Sequence, residues 1–256
     1  CWGRRRWRGT SCASRARRAG RAGDRVAPPA RRQRRAPAAG GGPPGRRPGA
    51  ARPPLRFTVA IDGPAAAGKG TIARAVAGAL GFAHLDTGLL YRAVALRTLA
   101  GADPLEAAQA LRPADLADPE LRSAAVAQEA SRVAVLPDVR GALLLWQRRF
   151  ARQEGGAVMD GRDVGTAVCP EAEAKLFVTA SPEARARRRA AELGLGYQET
   201  LAEILARDAR DEGRIAAPLR VAPDAVVLDT SELSVEEATA AALAAVRARL
   251  PDPRPA

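Results

Sequence analysis

The feature that most constrains this chain is a glycine-rich segment at residues 63–71. It reads Gly63, Pro64, Ala65, Ala66, Ala67, Gly68, Lys69, Gly70 and Thr71. An apolar, strand-like run at residues 57–62 precedes it, and an Ala-rich helical pattern continues to about residue 80. A strand, a glycine loop and a helix in this order predict a phosphate-binding loop that opens an α/β fold.

The residue types in this loop suit a polyphosphate such as that of ATP. Glycines let backbone N–H groups turn inward, the helix N-terminus adds its positive dipole, and Lys69 reaches the outer phosphates. Lys69 and Lys175 are the only two lysines in a chain that otherwise uses arginine. Gly70 stands where the common P-loop pattern has Ser or Thr, a form similar to the loop of nucleoside monophosphate kinases. The alternative is a glycine-rich turn with no ligand.

Further apolar segments predict four more buried strands, at residues 82–85, 157–160, 175–179 and 225–229. Helical patterns separate them, and a last helix is predicted at residues 235–250. Strands that alternate with helices favour a mostly parallel sheet. We therefore predict a five-stranded parallel sheet in an α/β fold.

The positive charge is confined to one end of the chain. Residues 1–56 hold 17 of the 41 basic residues and one acid, Asp24, so their net charge is +16. The remaining 200 residues carry −3, which gives the total of +13. Residues 1–55, rich in Arg, Gly and Pro, are predicted to be a disordered leader before a domain at 56–256. Two interpretations of the leader stay open: a tail that binds RNA or a membrane surface, and a fragment end or over-extended reading frame.

The other compositional signals favour a soluble cytoplasmic protein. Of the three cysteines, only Cys169 lies outside the leader, so no intramolecular disulfide is expected in the body. No run of eighteen apolar residues occurs, and we expect no membrane association. Cys169 and His84, the only histidine, are both interpreted as packing residues.

Four short segments in this order resemble the bacterial cytidylate kinase family over residues 57–250. They are Ile61-Asp62-Gly63-Pro64; Leu85-Asp86-Thr87-Gly88 with Tyr91-Arg92; Asp160-Gly161-Arg162-Asp163 with Gly165-Thr166; and Arg207-Asp208, Asp211, Arg214 and Ala217-Pro218-Leu219. The resemblance implies a three-layer P-loop NTPase fold with an acceptor-binding lobe near residues 100–130 and a helical lid near residues 183–215. It also implies a monomer that transfers the γ-phosphate of ATP to CMP or dCMP.

The resemblance assigns acceptor-binding roles to residues on several helices. Thr87 would contact the acceptor nucleotide and Arg92 its phosphate, although capping of the following helix is an alternative for Thr87. Ser131 and Arg140 would read the base and bind the acceptor phosphate. A predicted amphipathic helix at residues 197–214, with Leu201, Ile204 and Leu205 inward, would present three residues to cytosine and phosphate: Arg207, Asp211 and Arg214.

The charged cluster after the strand at 157–160 is the candidate reaction centre. Asp160 is predicted to lie near the metal or the attacking phosphate, Arg162 to act on the transferring phosphoryl group, and Asp163 to bind substrate. Arg188 is predicted to reach the ATP phosphates when the lid closes. Mg²⁺ would bridge ATP oxygens and touch Thr71 directly or through water. The alternative for this cluster is a closed network of ion pairs.

One departure from the family is visible. Family members usually carry a small stranded insertion before the Ser131 segment, and residues 101–126 are too short and Ala-rich to contain it. We therefore expect a reduced acceptor lobe. Two rival functions stay open: a P-loop phosphotransferase for another small acceptor, and a nucleic-acid-binding protein that acts through its leader.

Overall fold

Five short segments form one parallel sheet in the computed structural model, which describes residues 55–213 and 218–251. The strands are β1 (Thr58–Asp62), β2 (Ala83–Asp86), β3 (Ala157–Gly161), β4 (Ala174–Thr179) and β5 (Val226–Asp229), in the order β2-β3-β1-β4-β5. All five predicted strands are present, but the prediction that β5 is buried is wrong, since Val226 and Val227 on this edge strand are 43% and 54% exposed. Every residue of β1 and β3 is buried, as expected for inner strands of a sheet covered on both faces.

Eight α-helices connect and cover the strands. They are α1 (Lys69–Leu80), α2 (Thr87–Leu99), α3 (Pro104–Gln109), α4 (Ala124–Val133), α5 (Pro137–Ala151), α6 (Pro182–Leu193), α7 (Tyr197–Glu212) and α8 (Val235–Arg247). Capping side chains fix the N-termini of several of these helices. Ser181 caps α6 and Ser234 caps α8 with side-chain oxygens that accept from backbone N–H groups.

Two apolar cores lie on opposite faces of the sheet. One includes Leu90 of α2 and Leu143 of α5 with Met159 of β3. The other includes Val76 of α1 and Val246 of α8 with β1. The predicted three-layer α/β fold is therefore confirmed, and the sheet's carboxyl edge is left for loops.

The segment between α2 and α4 contains no strand. It holds α3 and two 3₁₀-helices, Pro113–Ala117 and Pro119–Arg122, and residues 87–156 are described throughout. This agrees with the expectation that residues 101–126 lack a stranded insertion. The segment predicted to form the acceptor lobe is thus built from helices alone.

One detail of the predicted lid helix is wrong. Helix α7 ends at Glu212, and Ile204 is buried as predicted, but Leu205 is 50% exposed. Successive residues on a helix are 100° apart, so Leu205 does not share the narrow buried face of Ile204 on α7, a helix that packs on α6. The sequence pattern overestimated the width of the buried face.

Some predictions concern residues outside the described ranges. The leader lies there almost entirely, as do Arg214 and Ala217. Within the described ranges, no helix is both long and apolar enough to span a bilayer.

Candidate active site

The loop between β1 and α1 has the backbone of an anion cradle. Gly63 has φ +153°, and a Cβ placed on it would lie 1.9 Å from the carbonyl oxygen of Val178. Gly68, at φ +84°, precedes α1 and supplies no side-chain cap, and the first turn of α1 holds no acidic residue. The N–H of Thr71 donates to the carbonyl oxygen of Gly68, while the N–H groups of Lys69 and Gly70 are left for a ligand, and a negative charge there is favoured by the helix dipole.

Lys69 begins α1 and bends back over the loop. Its Nζ donates to the carbonyl oxygen of Pro64 at 3.3 Å. Burial lowers the pKa of Lys69 from 10.5 to about 7, and the nearby Arg162 adds to this, while Asp160 and Asp86 oppose it. Because the pKa of Lys69 is lowered this far, a bound polyphosphate would stabilise the charged form of its side chain.

Asp160 is the second-last residue of β3 and is almost fully buried. One carboxylate oxygen, Oδ1, lies 2.8 Å from Nε2 of His84, and the side chain of Asp160 is 4% exposed. The other oxygen, Oδ2, lies 3.6 Å from where a Cβ on Gly70 would be. Asp160 thus bridges the edge strand β2 and the first turn of α1.

His84 corrects a prediction, since it is not a core packing residue. Side chains alternate along a strand, so His84 and Asp86 share one face of β2 while the buried Leu85 takes the other. Asp86 pairs with Asp160 in the sheet register, which brings His84 to the same carboxylate. The apolar residues beside it in the sequence, including the buried Leu85, made His84 resemble a core residue.

Thr87 is buried, and its hydroxyl Oγ1 donates to the backbone oxygen of Asp160 at 2.8 Å. The helix cap is Asp86, whose Oδ1 accepts from the N–H of Gly88 at 2.9 Å. The capping alternative for Thr87 is therefore wrong. Burial raises the pKa of Asp86, and the neighbouring Asp160 adds to the shift.

Asp62 holds the backbone that follows the Asp160–Asp163 cluster, a role that the sequence did not predict. Its two carboxylate oxygens accept from the N–H groups of Val164 and Gly165 at 2.8 and 2.7 Å. These bonds hold a short π-helical turn, Val164–Val168, directly after the Asp160–Asp163 cluster. Burial raises the pKa of Asp62 to about 6, against the two backbone hydrogen bonds.

Two arginines join helices α6 and α7 to the phosphate loop. Arg162 donates from Nε to Asp211 Oδ2 at 2.8 Å and from Nη1 to the carbonyl oxygen of Gly63 at 3.0 Å. Arg185 makes a two-pronged pair with Asp208, at 2.7 and 3.0 Å, and reaches the carbonyl oxygen of Ala65 at 3.3 Å. Arg185 was not among the predicted site residues.

The charged cluster contains the ion pairs that the alternative interpretation required. Arg162 pairs with Asp211, and Arg140 pairs with Asp163 while Nη1 of Arg140 donates to the carbonyl oxygen of Ala134. Burial opposes the charge on Arg140, but Tyr91 and Asp163 outweigh it and raise its pKa. Such pairs can exchange partners when a charged ligand arrives, so they do not decide between the two interpretations.

The sequence predicts Arg188 at the ATP phosphates, but in this structure its guanidinium bonds the segment after β5. It donates to the backbone oxygen and to Oγ1 of Thr230, and to carbonyl oxygens of Ser231 and Leu233. Thr230 Oγ1 in turn donates to the carbonyl oxygen of Ala67. The role of Arg188 at the ATP phosphates stays a prediction, one that requires these bonds to break on closure.

A cleft of about 820 Å³ opens between α4 and α7. Three of the predicted acceptor residues line it: Ser131, Arg207 and Asp211. Ser131 Oγ donates to the carbonyl oxygen of Ala127, four residues earlier on α4. Arg92 is half-buried, donates to the carbonyl oxygen of Leu121 at 2.6 Å, and has its pKa lowered by burial. Arg92 and Arg140 do not line this cleft.

A model of the family described as cytidylate kinase matches residues 59–248. The chain belongs to the cytidylate kinase family. It is 63% identical over 200 residues to a cytidylate kinase from Cereibacter sphaeroides, covering 76% of this chain and 97% of that one. It is 55% identical over 203 residues to one from Azorhizobium caulinodans, covering 75% of this chain and 98% of that one.

A third cytidylate kinase, from Methylobacterium sp. strain 4-46, is 57% identical over 207 residues, covering 76% of this chain and 99% of the relative. The three alignments span 200, 203 and 207 residues and cover 97%, 98% and 99% of the relatives, so these relatives have no large insertion that this chain lacks. The short helical segment between α2 and α4 is therefore not a deletion peculiar to this chain.

Proposed function

We propose that this site transfers the γ-phosphoryl group of ATP to CMP or dCMP by placing the two nucleotides on either side of Arg162. Membership in the cytidylate kinase family makes the chain a phosphotransferase for cytidine monophosphates. The observation that carries the proposal is the position of Arg162. It contacts the phosphate loop at Gly63 and the acceptor cleft at Asp211.

The donor side of the site is the loop at residues 63–71. Its N–H groups and the uncapped start of α1 would hold the ATP phosphates, with Lys69 on the outer ones. Phosphoryl transfer needs positioning and charge neutralisation more than covalent participation. Lys69, Arg162 and Arg185 would neutralise the charges that develop on the phosphates.

The acceptor side is the cleft between α4 and α7. Ser131 and Arg207 line it, and Asp211 offers a carboxylate that can accept from the exocyclic amine of cytosine. Arg162 would exchange Asp211 for phosphate oxygens when both nucleotides are bound. Thr87, Arg92, Arg140, Asp163 and Arg214 complete the proposed acceptor set.

Mg²⁺ fits the residues present. Mg²⁺ binds through one or two carboxylates, waters and substrate phosphates, and Asp160 directs Oδ2 toward the first turn of α1. No group of three or more His, Cys, Asp or Glu side chains suits a metal in the described part of the chain, so the phosphates would supply most ligands. Asp160 and Thr71 would hold the ion through water, and the ion would supply neutralisation of phosphate charge.

The lid would close by moving α6 and α7 toward the loop. Arg185 and Asp208 already tie these helices to Ala65, and Arg188 would add a further cation. Closure excludes water, which otherwise competes with the acceptor phosphate.

We also propose that the protein is a cytoplasmic monomer. Size-exclusion chromatography with light scattering tests whether it is a monomer.

The test is ADP formation by the whole chain with ATP, Mg²⁺ and each of five acceptors: CMP, dCMP, UMP, AMP and GMP. The proposal expects turnover with CMP and dCMP at least about tenfold above the others, the discrimination that one lost hydrogen bond in a buried site supports. Equal turnover with all five would favour a phosphotransferase for another acceptor. No turnover by folded protein would contradict the proposal.

A further inference from the structure

We infer that His84 is a positioning residue for phosphoryl transfer, because it holds the carboxylate of Asp160 with its free oxygen toward the start of α1. The inference rests on the proposed function, in which Asp160 stands near the metal and the phosphates. It adds a residue that the family motifs quoted above do not include.

The contact is built by the register of two strands. Asp86 of β2 pairs with Asp160 of β3, and His84 lies two residues before Asp86 on the same face. From there Nε2 of His84 reaches Oδ1 of Asp160 at 2.8 Å, which is a well-formed hydrogen bond. The His84 side chain is 21% exposed and that of Asp160 is 4% exposed, so the hydrogen bond is largely shielded from solvent.

This bond decides where the second oxygen of Asp160 points. The terminal torsion of an aspartate is broad and roughly two-fold, so an unrestrained carboxylate rotates. With Oδ1 engaged by His84, Oδ2 faces Gly70, 3.6 Å from the position of a Cβ there. Common P-loops carry a hydroxyl side chain at this position, and Gly70 has none. An oriented Asp160 oxygen therefore faces the place left by the missing side chain.

The backbone of Asp160 is fixed as well. Its carbonyl oxygen accepts from Thr87 Oγ1 at 2.8 Å, and its strand pairs with β1 and β2. The side-chain carboxylate has His84 as its hydrogen-bond partner among the side-chain contacts of the described residues. Removal of His84 would leave Oδ1 buried without that donor and free the carboxylate to turn toward Lys69.

The role does not depend on titration of His84. A neutral imidazole with its proton on Nε2 and a charged imidazolium both donate through Nε2. A glutamine amide reaches a similar distance from the backbone and donates as well. His84→Gln is therefore the conservative variant, and His84→Leu removes the donor.

The experiment compares these two variants with the unchanged chain. We expect His84→Leu to lower kcat about tenfold, as loss of one oriented charge-bearing contact predicts, with KM for CMP changed less than about twofold. His84→Gln should restore kcat to within about threefold of the unchanged chain. If the Leu variant does not fold, as judged by thermal unfolding, His84→Phe takes its place and keeps a ring.

A second readout does not require activity. Crystal structures of the variants without nucleotide should show Asp160 Oδ2 facing Gly70 in His84→Gln and rotated away in His84→Leu. An unchanged kcat in a folded Leu variant overturns the inference, as does an equal loss in both variants with Asp160 unmoved. If the unchanged chain forms no CDP, the proposed function fails, while the orientation of Asp160 in the crystals still decides the inference about His84.

Discussion

Arg162 lies across the phosphate loop, with Nε 2.8 Å from Asp211 Oδ2 and Nη1 3.0 Å from the carbonyl oxygen of Gly63. One side chain therefore joins helix α7 to the donor loop. Asp211 is 2% exposed, so the pair is shielded from water on the carboxylate side. A ligand that binds Arg162 breaks its pair with Asp211, which couples the two halves of the site.

The Arg162–Asp211 pair should matter for stability. Asp211→Asn leaves the partly buried guanidinium without its charged partner, and we expect a loss of about 3 kcal/mol in the free energy of unfolding. Urea denaturation measures it. The matched control is Glu192→Gln, which breaks the exposed pair with Arg189 and should cost less than about 1 kcal/mol. Equal losses in the two variants would contradict the special position of Asp211.

Two glycines of the loop should differ in their tolerance of a methyl group. A Cβ at residue 63 would lie 1.9 Å from the backbone oxygen of Val178, so Gly63→Ala must displace β4 or the loop. Gly68→Ala meets no atom within 4 Å and carries only the cost of its left-handed backbone, about 1–2 kcal/mol. We expect Gly63→Ala to abolish ATP binding in calorimetry and Gly68→Ala to weaken it. Tight binding by Gly63→Ala would show that the loop geometry is wrong.

ATP binding should be accompanied by proton uptake on Lys69. Its pKa is lowered to about 7 by burial, so at pH 8 about nine-tenths of the free protein carries a neutral Lys69. The bound polyphosphate favours the charged form and raises this pKa, so ATP binding takes up protons at pH values above about 7. Calorimetry at pH 8 in buffers of different ionisation enthalpy should report up to about one proton. Lys69→Met should remove the uptake, and a buffer-independent heat in the unchanged chain would contradict it.

Ser131 should act on the acceptor alone. It lines the cleft between α4 and α7, and no residue of the loop at 63–71 lines that cleft. Loss of one hydrogen bond to the base in Ser131→Ala should raise KM for CMP about tenfold and leave KM for ATP within about twofold. Steady-state kinetics with each nucleotide varied in turn provides the comparison. A rise in both constants would indicate that the cleft is not an independent acceptor site.

Much of the fold followed from local sequence signals. The strand, glycine loop and helix at residues 57–80 are short-range features whose backbone needs are met by the residues themselves. The strand positions were found because each is a compact apolar run between turns. Periodicity failed at Leu205, since the width of a buried helix face depends on what packs against it.

The site was harder to predict because its parts come from distant segments. His84 looked like a core residue within its own strand, and only the pairing of β2 with β3 brings it to Asp160. Arg185 resembled its arginine neighbours on α6, and its contact with Ala65 depends on how α6 packs. Asp62 stood inside a recognised motif, but its two backbone partners lie about a hundred residues away along the chain.

The most direct test of the account follows the γ-phosphate itself. The whole chain is mixed with γ-labelled ATP, Mg²⁺ and CMP, and the products are separated by chromatography. We predict that the label appears in CDP in amounts equal to the ADP formed, and that Lys69→Met lowers the rate at least about a hundredfold. Label found in free phosphate, or transfer that survives loss of Lys69, would contradict phosphoryl transfer to cytidylate at this loop.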